Sequence, residues 1–123
     1  MVDCVFCKIA KGEVPCEKIW ENENFFSILN INPVLEGHSL IISKKHFRTS
    51  LDILDSLGSD FFDCVKKTTL ILMEKYDATG FNLVNNNFED GGQSINHFHF
   101  HVLPRKKSDG NIKFLKNGKE KEL

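Results

Sequence analysis

Residues 97–103 read His-Phe-His-Phe-His-Val-Leu, and strict alternation of imidazole with apolar side chains over that span fits a strand. A strand turns successive side chains to opposite faces. His97, His99 and His101 therefore share one face, and Phe98, Phe100 and Val102 the other. The apolar face belongs against a core, so three imidazoles project together from the other side. With a rise of about 3.3 Å per residue, neighbours on that face stand roughly 6.5 to 7 Å apart. Three readings follow. One is a half-exposed strand that uses histidine as its polar face, a poor choice for solvation alone. Another is a three-histidine metal site, since ligands at alternate strand positions can converge on one ion. The third is covalent catalysis by an imidazole that titrates near neutrality, with its neighbours orienting it and moving protons.

The segment ahead of the strand bears on the choice. Asp90-Gly91-Gly92-Gln93-Ser94 joins two glycines to two hydrogen-bonding side chains. Glycine lets backbone N–H groups approach an anion closely, and Gln and Ser add oriented donors. Alone, such a stretch means only a turn. Beside a face of three imidazoles it suits a phosphate.

The remaining pattern predicts a short helix over 4–10, stopped by Gly12 and followed by Pro15. Strands are expected over 18–21, 25–29, 38–43, 81–86 and 97–103, the last ended by Pro104. Ser59 reads as the N-cap of a long helix reaching about Tyr76, with Phe62, Val65, Leu72 and Tyr76 at helical spacing. Strands joined by short turns, with one long helix between the third and fourth, predict an α+β domain. Its five-stranded antiparallel sheet carries one long helix and a short N-terminal one. Residues 1–105 form this domain, and the lysine-rich 106–123 reads as a mobile basic tail.

Composition removes several classes of function. A net charge of −1 gives no field for holding nucleic acid or an anionic membrane, so any anionic ligand depends on local groups. No apolar run approaches a membrane span, and the first residues lack the regions of a signal peptide, which predicts a cytoplasmic protein. Its four cysteines are then expected to be reduced. Cys4 and Cys7 form a C-x-x-C pair that can reach one ion from a single helical turn, and such a pair means metal or redox chemistry. No thioredoxin-like βαβ pattern surrounds it. A blander alternative packs both thiols in the core.

The chain resembles the histidine triad family of nucleotide-binding proteins and hydrolases. The likeness runs from Cys4-Val5-Phe6-Cys7 through Asn30-Ile31-Asn32-Pro33, Gly37-His38-Ser39-Leu40, Lys44-Lys45-His46 and Asn85-Asn86-Asn87. It closes with Gly91-Gly92-Gln93-Ser94, the alternating histidines and Pro104-Arg105. The resemblance implies that His99 attacks an α-phosphorus, that His38 completes the site, and that His101 handles protons and contacts phosphate. It implies phosphate or leaving-group contacts for Asn86, Gln93 and Ser94, and a ribose contact for Asn30. Val5, Phe6, Ile9, Ile28, Ile31 and Leu40 would form an apolar cleft for a purine base. The implied reaction cleaves purine nucleotides such as AMP phosphoramidates or acyl-nucleotides without a catalytic metal, and the implied assembly is a homodimer. Dinucleoside polyphosphate hydrolysis and a nucleotide-binding adaptor role stand as alternatives, since Asn30 replaces the aspartate frequent in the monophosphoramidate branch. Some bacterial-type members bind structural zinc, which implies ligands at Cys4, Cys7, His46 and His97.

Overall fold

The structure, a computed structural model, describes residues 4–107 and 109–110, together with the backbone of 113–116 and 119–122. Cys4 starts the first element. Its extended backbone and its Sγ, which accepts from the Cys7 N–H, cap α1 (Val5–Ala10). Asn22 folds the first hairpin by accepting from the backbone of Asn24 and Phe25 through Oδ1, which joins β1 (Lys18–Glu21) to β2 (Phe25–Leu29). The chain returns through Gly37 into β3 (Ser39–Ser43). Gly37 sits at φ +85°, and a Cβ there would stand 2.8 Å from Tyr76 Cδ2 and 2.9 Å from Pro104 Cγ.

The long helix α2 (Gly58–Lys75) follows two short 3-10 turns, and the second of these leads straight into it. Leu57 therefore occupies the N-cap with no side-chain bond, in place of the expected Ser59. Cys64, Val65, Thr68 and Leu72 form its buried stripe, whereas Phe62, assigned to that stripe by spacing, points outward. The sheet closes with β4 (Gly80–Val84) and β5 (His99–Arg105), in the antiparallel order β1-β2-β3-β5-β4. This is the α+β architecture expected.

Two strand boundaries differ from the pattern. The final strand starts at His99, and His97 precedes it, because the Phe98 N–H donates to the Phe47 carbonyl at 2.6 Å outside the ladder. Pro104 does not end the strand. It pairs with Phe81 of β4 at a level past the last β3 pair, Ser39 with Val102, so its missing N–H costs the ladder nothing there. The stretch after 105 also departs from an aperiodic tail, since β6 (Lys113–Lys116) and β7 (Lys119–Glu122) pair antiparallel. Its expected mobility concerns side chains and residues outside those described.

Both faces of the sheet are covered. On one, Phe25, Ile41, Phe98 and Val102 pack against Cys64, Val65 and Leu72 of α2, and Thr68 Oγ1 donates to Ser27 Oγ at 2.7 Å. On the other, Phe26, Ile28, Leu40 and Ile42 pack with Cys4 and Phe6 of the N-terminal segment. His99 and His101 belong to this second face, so they are buried rather than solvated. Among the described residues no helix is long and apolar enough to cross a membrane.

Candidate active site and metal-binding cluster

Alternation on β5 turns His99 and His101 toward the α1 side, with Leu40 and Ile42 of β3 opposite them in register. There they form one end of a cleft of about 390 Å³. Val5, Phe6 and Ile9 of α1 line it, as do Ile28, Asn30, Ile31, Leu40 and Ser94, all expected from the sequence. Val14, Pro15, Cys16, Leu29, Asn32 and Ile95 line it as well, and carry no chemical signature that would single them out. The lining is mostly apolar with a few polar groups, the usual make-up of a small-molecule site. Ile31 is 88% exposed at its rim.

Hydrogen-bond partners fix the tautomers, because a carbonyl only accepts and a backbone N–H only donates. His99 Nδ1 lies 2.7 Å from the His97 carbonyl, so Nδ1 carries the hydrogen and Nε2 keeps its lone pair. The Val34 N–H donates to His38 Nδ1 at 3.1 Å, so His38 is protonated on Nε2. That Nε2–H donates to His101 Nδ1 at 2.9 Å, which leaves the hydrogen of His101 on Nε2. The chain Val34 to His38 to His101 therefore presents a donor, and His99 beside it presents a base. The rings of His99 and His101 stand 5.2 Å apart, edge to face.

Burial disfavours the charged form of all three imidazoles. Desolvation lowers His38 to about 4 and, with the charges of His99 and His38 adding to it, His101 to about 3. Desolvation lowers His99 too, opposed by the His97 carbonyl. His38 and His101 are thus held well below the near-neutral range the sequence suggested for these rings. His101 meets an anion as a hydrogen-bond donor, through the Nε2–H that His38 holds in place.

Not every expected contact reaches the cleft. Gln93 lies off its wall, with its amide engaged by backbone: Oε1 accepts from Phe88, and Nε2 donates to Arg48 and Ile95. Asn86 is not among the lining residues either. Its neighbour Asn85, unmarked by the sequence, donates from Nδ2 to the His99 carbonyl at 2.9 Å, and β4 ends one residue earlier at Val84. Asn30 lines the cleft while its Oδ1 accepts from the Asn32 N–H at 3.0 Å.

His97 points elsewhere. Its Nε2 is 2.7 Å from the Ser43 carbonyl and so bears the hydrogen, which leaves Nδ1 as a lone pair. That nitrogen faces Cys4 Sγ at 3.2 Å, Cys7 Sγ at 3.5 Å and His46 Nδ1 at 3.2 Å. The four ligand atoms of Cys4, Cys7, His46 and His97 lie within 4.8 Å of one another and could hold a metal ion. Burial, followed by the adjacent Cys4, pushes the Cys7 thiol up to about 11, so two neighbouring thiolates need a cation between them. The donor set and the backbone acceptor behind His97 fit a tetrahedral site for zinc. The three-histidine metal site fails on the same geometry, because His97 faces the thiols and His99 holds its Nδ1–H on a backbone oxygen.

An apolar cleft lined by two imidazoles lies on one face of a five-stranded antiparallel sheet, with a sulfur and imidazole cluster beside it. The HIT domain family model matches residues 11–108, and the chain belongs to the HIT family. It is 41% identical over 109 residues to an uncharacterised HIT-like protein of Methanocaldococcus jannaschii, covering 89% of this chain and 84% of that one. It is 40% identical over 107 residues to an adenosine 5'-monophosphoramidase of Candida albicans, covering 84% and 70% respectively. The crystal structure of a HIT family member from Bacillus subtilis superposes with a TM-score of 0.83 at 34% identity, over 90% of this chain and 81% of that one.

Proposed function

We propose that this protein hydrolyses purine nucleoside phosphoramidates or acyl-nucleotides at the α-phosphorus through a nucleotidyl-imidazole on His99. The bond from His99 Nδ1–H to the His97 carbonyl carries the reading, since it leaves Nε2 as the basic nitrogen of a ring that lines the cleft. The Candida albicans monophosphoramidase supports the leaving group, and the apolar lining suits a purine.

In the first half-reaction the Nε2 lone pair forms a bond to phosphorus as the bond to the amine or acyl oxygen breaks. The departing pair stays on the leaving atom, and an amine takes a proton there. His101, held by His38 with its hydrogen on Nε2, donates that N–H as a hydrogen bond to the leaving atom or a phosphoryl oxygen, and solvent water supplies the amine's proton. Ser94, at the cleft wall, donates to the phosphoryl oxygens. Water then attacks phosphorus, the N–P pair returns to Nε2, the water proton passes to solvent, and the nucleoside monophosphate leaves. Cys4, Cys7, His46 and His97 would hold zinc, which would brace the fold and take no part in these steps. Four free thiols support a reducing, cytoplasmic setting. The proposed dimer partner is a second copy along edge strand β4, where Phe81 and Leu83 are exposed.

Intact-protein mass spectrometry after rapid quenching with an adenosine phosphoramidate tests the scheme. A nucleotidyl adduct is expected on the wild type and none on His99→Ala; normal turnover by His99→Ala would reject it. Cleavage of dinucleoside polyphosphates in preference to phosphoramidates would move the assignment to the other branch. Tight nucleotide binding without turnover would leave an adaptor.

A further inference from the structure

Gln93 combines deep burial, at 7% exposed, with a side-chain amide committed wholly to the backbone of three separate segments. Oε1 accepts from the Phe88 N–H at 2.7 Å. The two Nε2 hydrogens go to the carbonyls of Arg48 at 2.7 Å and Ile95 at 2.9 Å. The Gln93 N–H also donates to the Phe88 carbonyl at 3.0 Å. An amide nitrogen has only two hydrogens, so none remains for a phosphate.

The three tied segments surround the chemistry. Phe88 holds φ +64°, an uncommon backbone for a bulky residue, between the asparagines after β4 and the glycine turn. Ser94 and Ile95 line the cleft, and His97, two residues further on, supplies the carbonyl that holds His99. Arg48 follows Phe47, whose carbonyl takes the Phe98 N–H at 2.6 Å. Gln93 thus ties both strands of backbone that reach the nucleophile.

We infer that Gln93 is a positioning residue: it fixes Ser94 and the 95–98 backbone against 47–48, and touches no substrate atom. This deepens the proposed reaction and rests on it for the rate measurement alone. Two near-isosteric variants separate positioning from contact. Gln93→Glu keeps the acceptor for Phe88 but sets an acceptor against two carbonyls, while Gln93→Met removes every polar bond. The expected result in both is a drop in the adduct-forming rate on the order of 10- to 100-fold. The ratio of AMP to adenosine affinity should stay within about three-fold of the wild type, since no phosphate partner is lost.

Direct phosphate contact predicts the opposite split. Gln93→Glu would then weaken AMP far more than adenosine, and more than Gln93→Met does, through charge repulsion. That result overturns the inference, as does an unchanged rate in both variants. Backbone hydrogen exchange over 88–98 supplies a readout independent of turnover. It should accelerate in the variants, and unaltered exchange would also overturn the inference. If the wild type formed no adduct at all, the proposed reaction would fail while the affinity ratio and exchange still decided the role of Gln93.

Discussion

His97 and His99 are two residues apart, both contact the ring of Phe6, and yet they do opposite things with their nitrogens. Ring centroids lie 5.7 Å and 5.1 Å from Phe6, which stands between a thiol-lined cluster and an apolar cleft. His97 gives its Nε2–H to Ser43 and turns Nδ1 toward two sulfurs. His99 gives its Nδ1–H to the His97 carbonyl and keeps Nε2 for the cleft. Residue type is therefore uninformative here. What separates the two rings is which nitrogen a backbone carbonyl claims.

The comparison breaks most sharply at His99. His99→Ala should lower turnover on the order of 10⁴-fold or more with nucleotide binding nearly kept, measured by single-turnover kinetics and titration. On the same side, His38→Phe should cost about 10²-fold in rate by releasing the His101 tautomer, with the nucleophile still able to form adduct. On the other side, Cys7→Ser should lose bound zinc, measured by elemental analysis. Its expected cost is several kcal/mol of stability, because binding free energy at such a site is folding free energy. Equal loss of chemistry in Cys7→Ser and His99→Ala, at a temperature where both are folded, would erase the distinction.

A further expected effect is on stability against pH. The folded values of His38 and His101 lie near 4 and 3, below the unfolded value of about 6.5. Between those limits the unfolded chain binds more protons, so stability rises with pH there and is lost as pH falls from about 6.5 toward 3. Above about 6.5 both states are neutral at these groups and they contribute no slope. Chemical denaturation across this range reads it, and a His38→Phe variant should show a shallower loss.

The sequence was clearest where local pattern decides. The apolar runs around Asn22-Glu23-Asn24 give β1 and β2 at their observed bounds, and helical spacing finds α2. The cleft residues and the four cluster ligands were named through the family likeness, and the fold brings each group together. What stayed hidden depends on long-range bonds. Nothing local shows that Phe98 reaches Phe47 and delays the start of the strand to His99, or that the Gln93 amide is taken up by backbone 45 residues away. The depressed imidazoles escaped notice for a related reason. Alternation shows that three imidazoles share a face, but not that α1 covers that side of the sheet and desolvates it.

Nitrogen-15 NMR of histidine-labelled protein at neutral pH reads the two nitrogens directly through their couplings to ring carbons. The predicted spectrum holds His99 as the Nδ1–H tautomer, with His38, His97 and His101 as Nε2–H. A hydrogen found on His99 Nε2 would leave that ring no lone pair for phosphorus and would contradict the account.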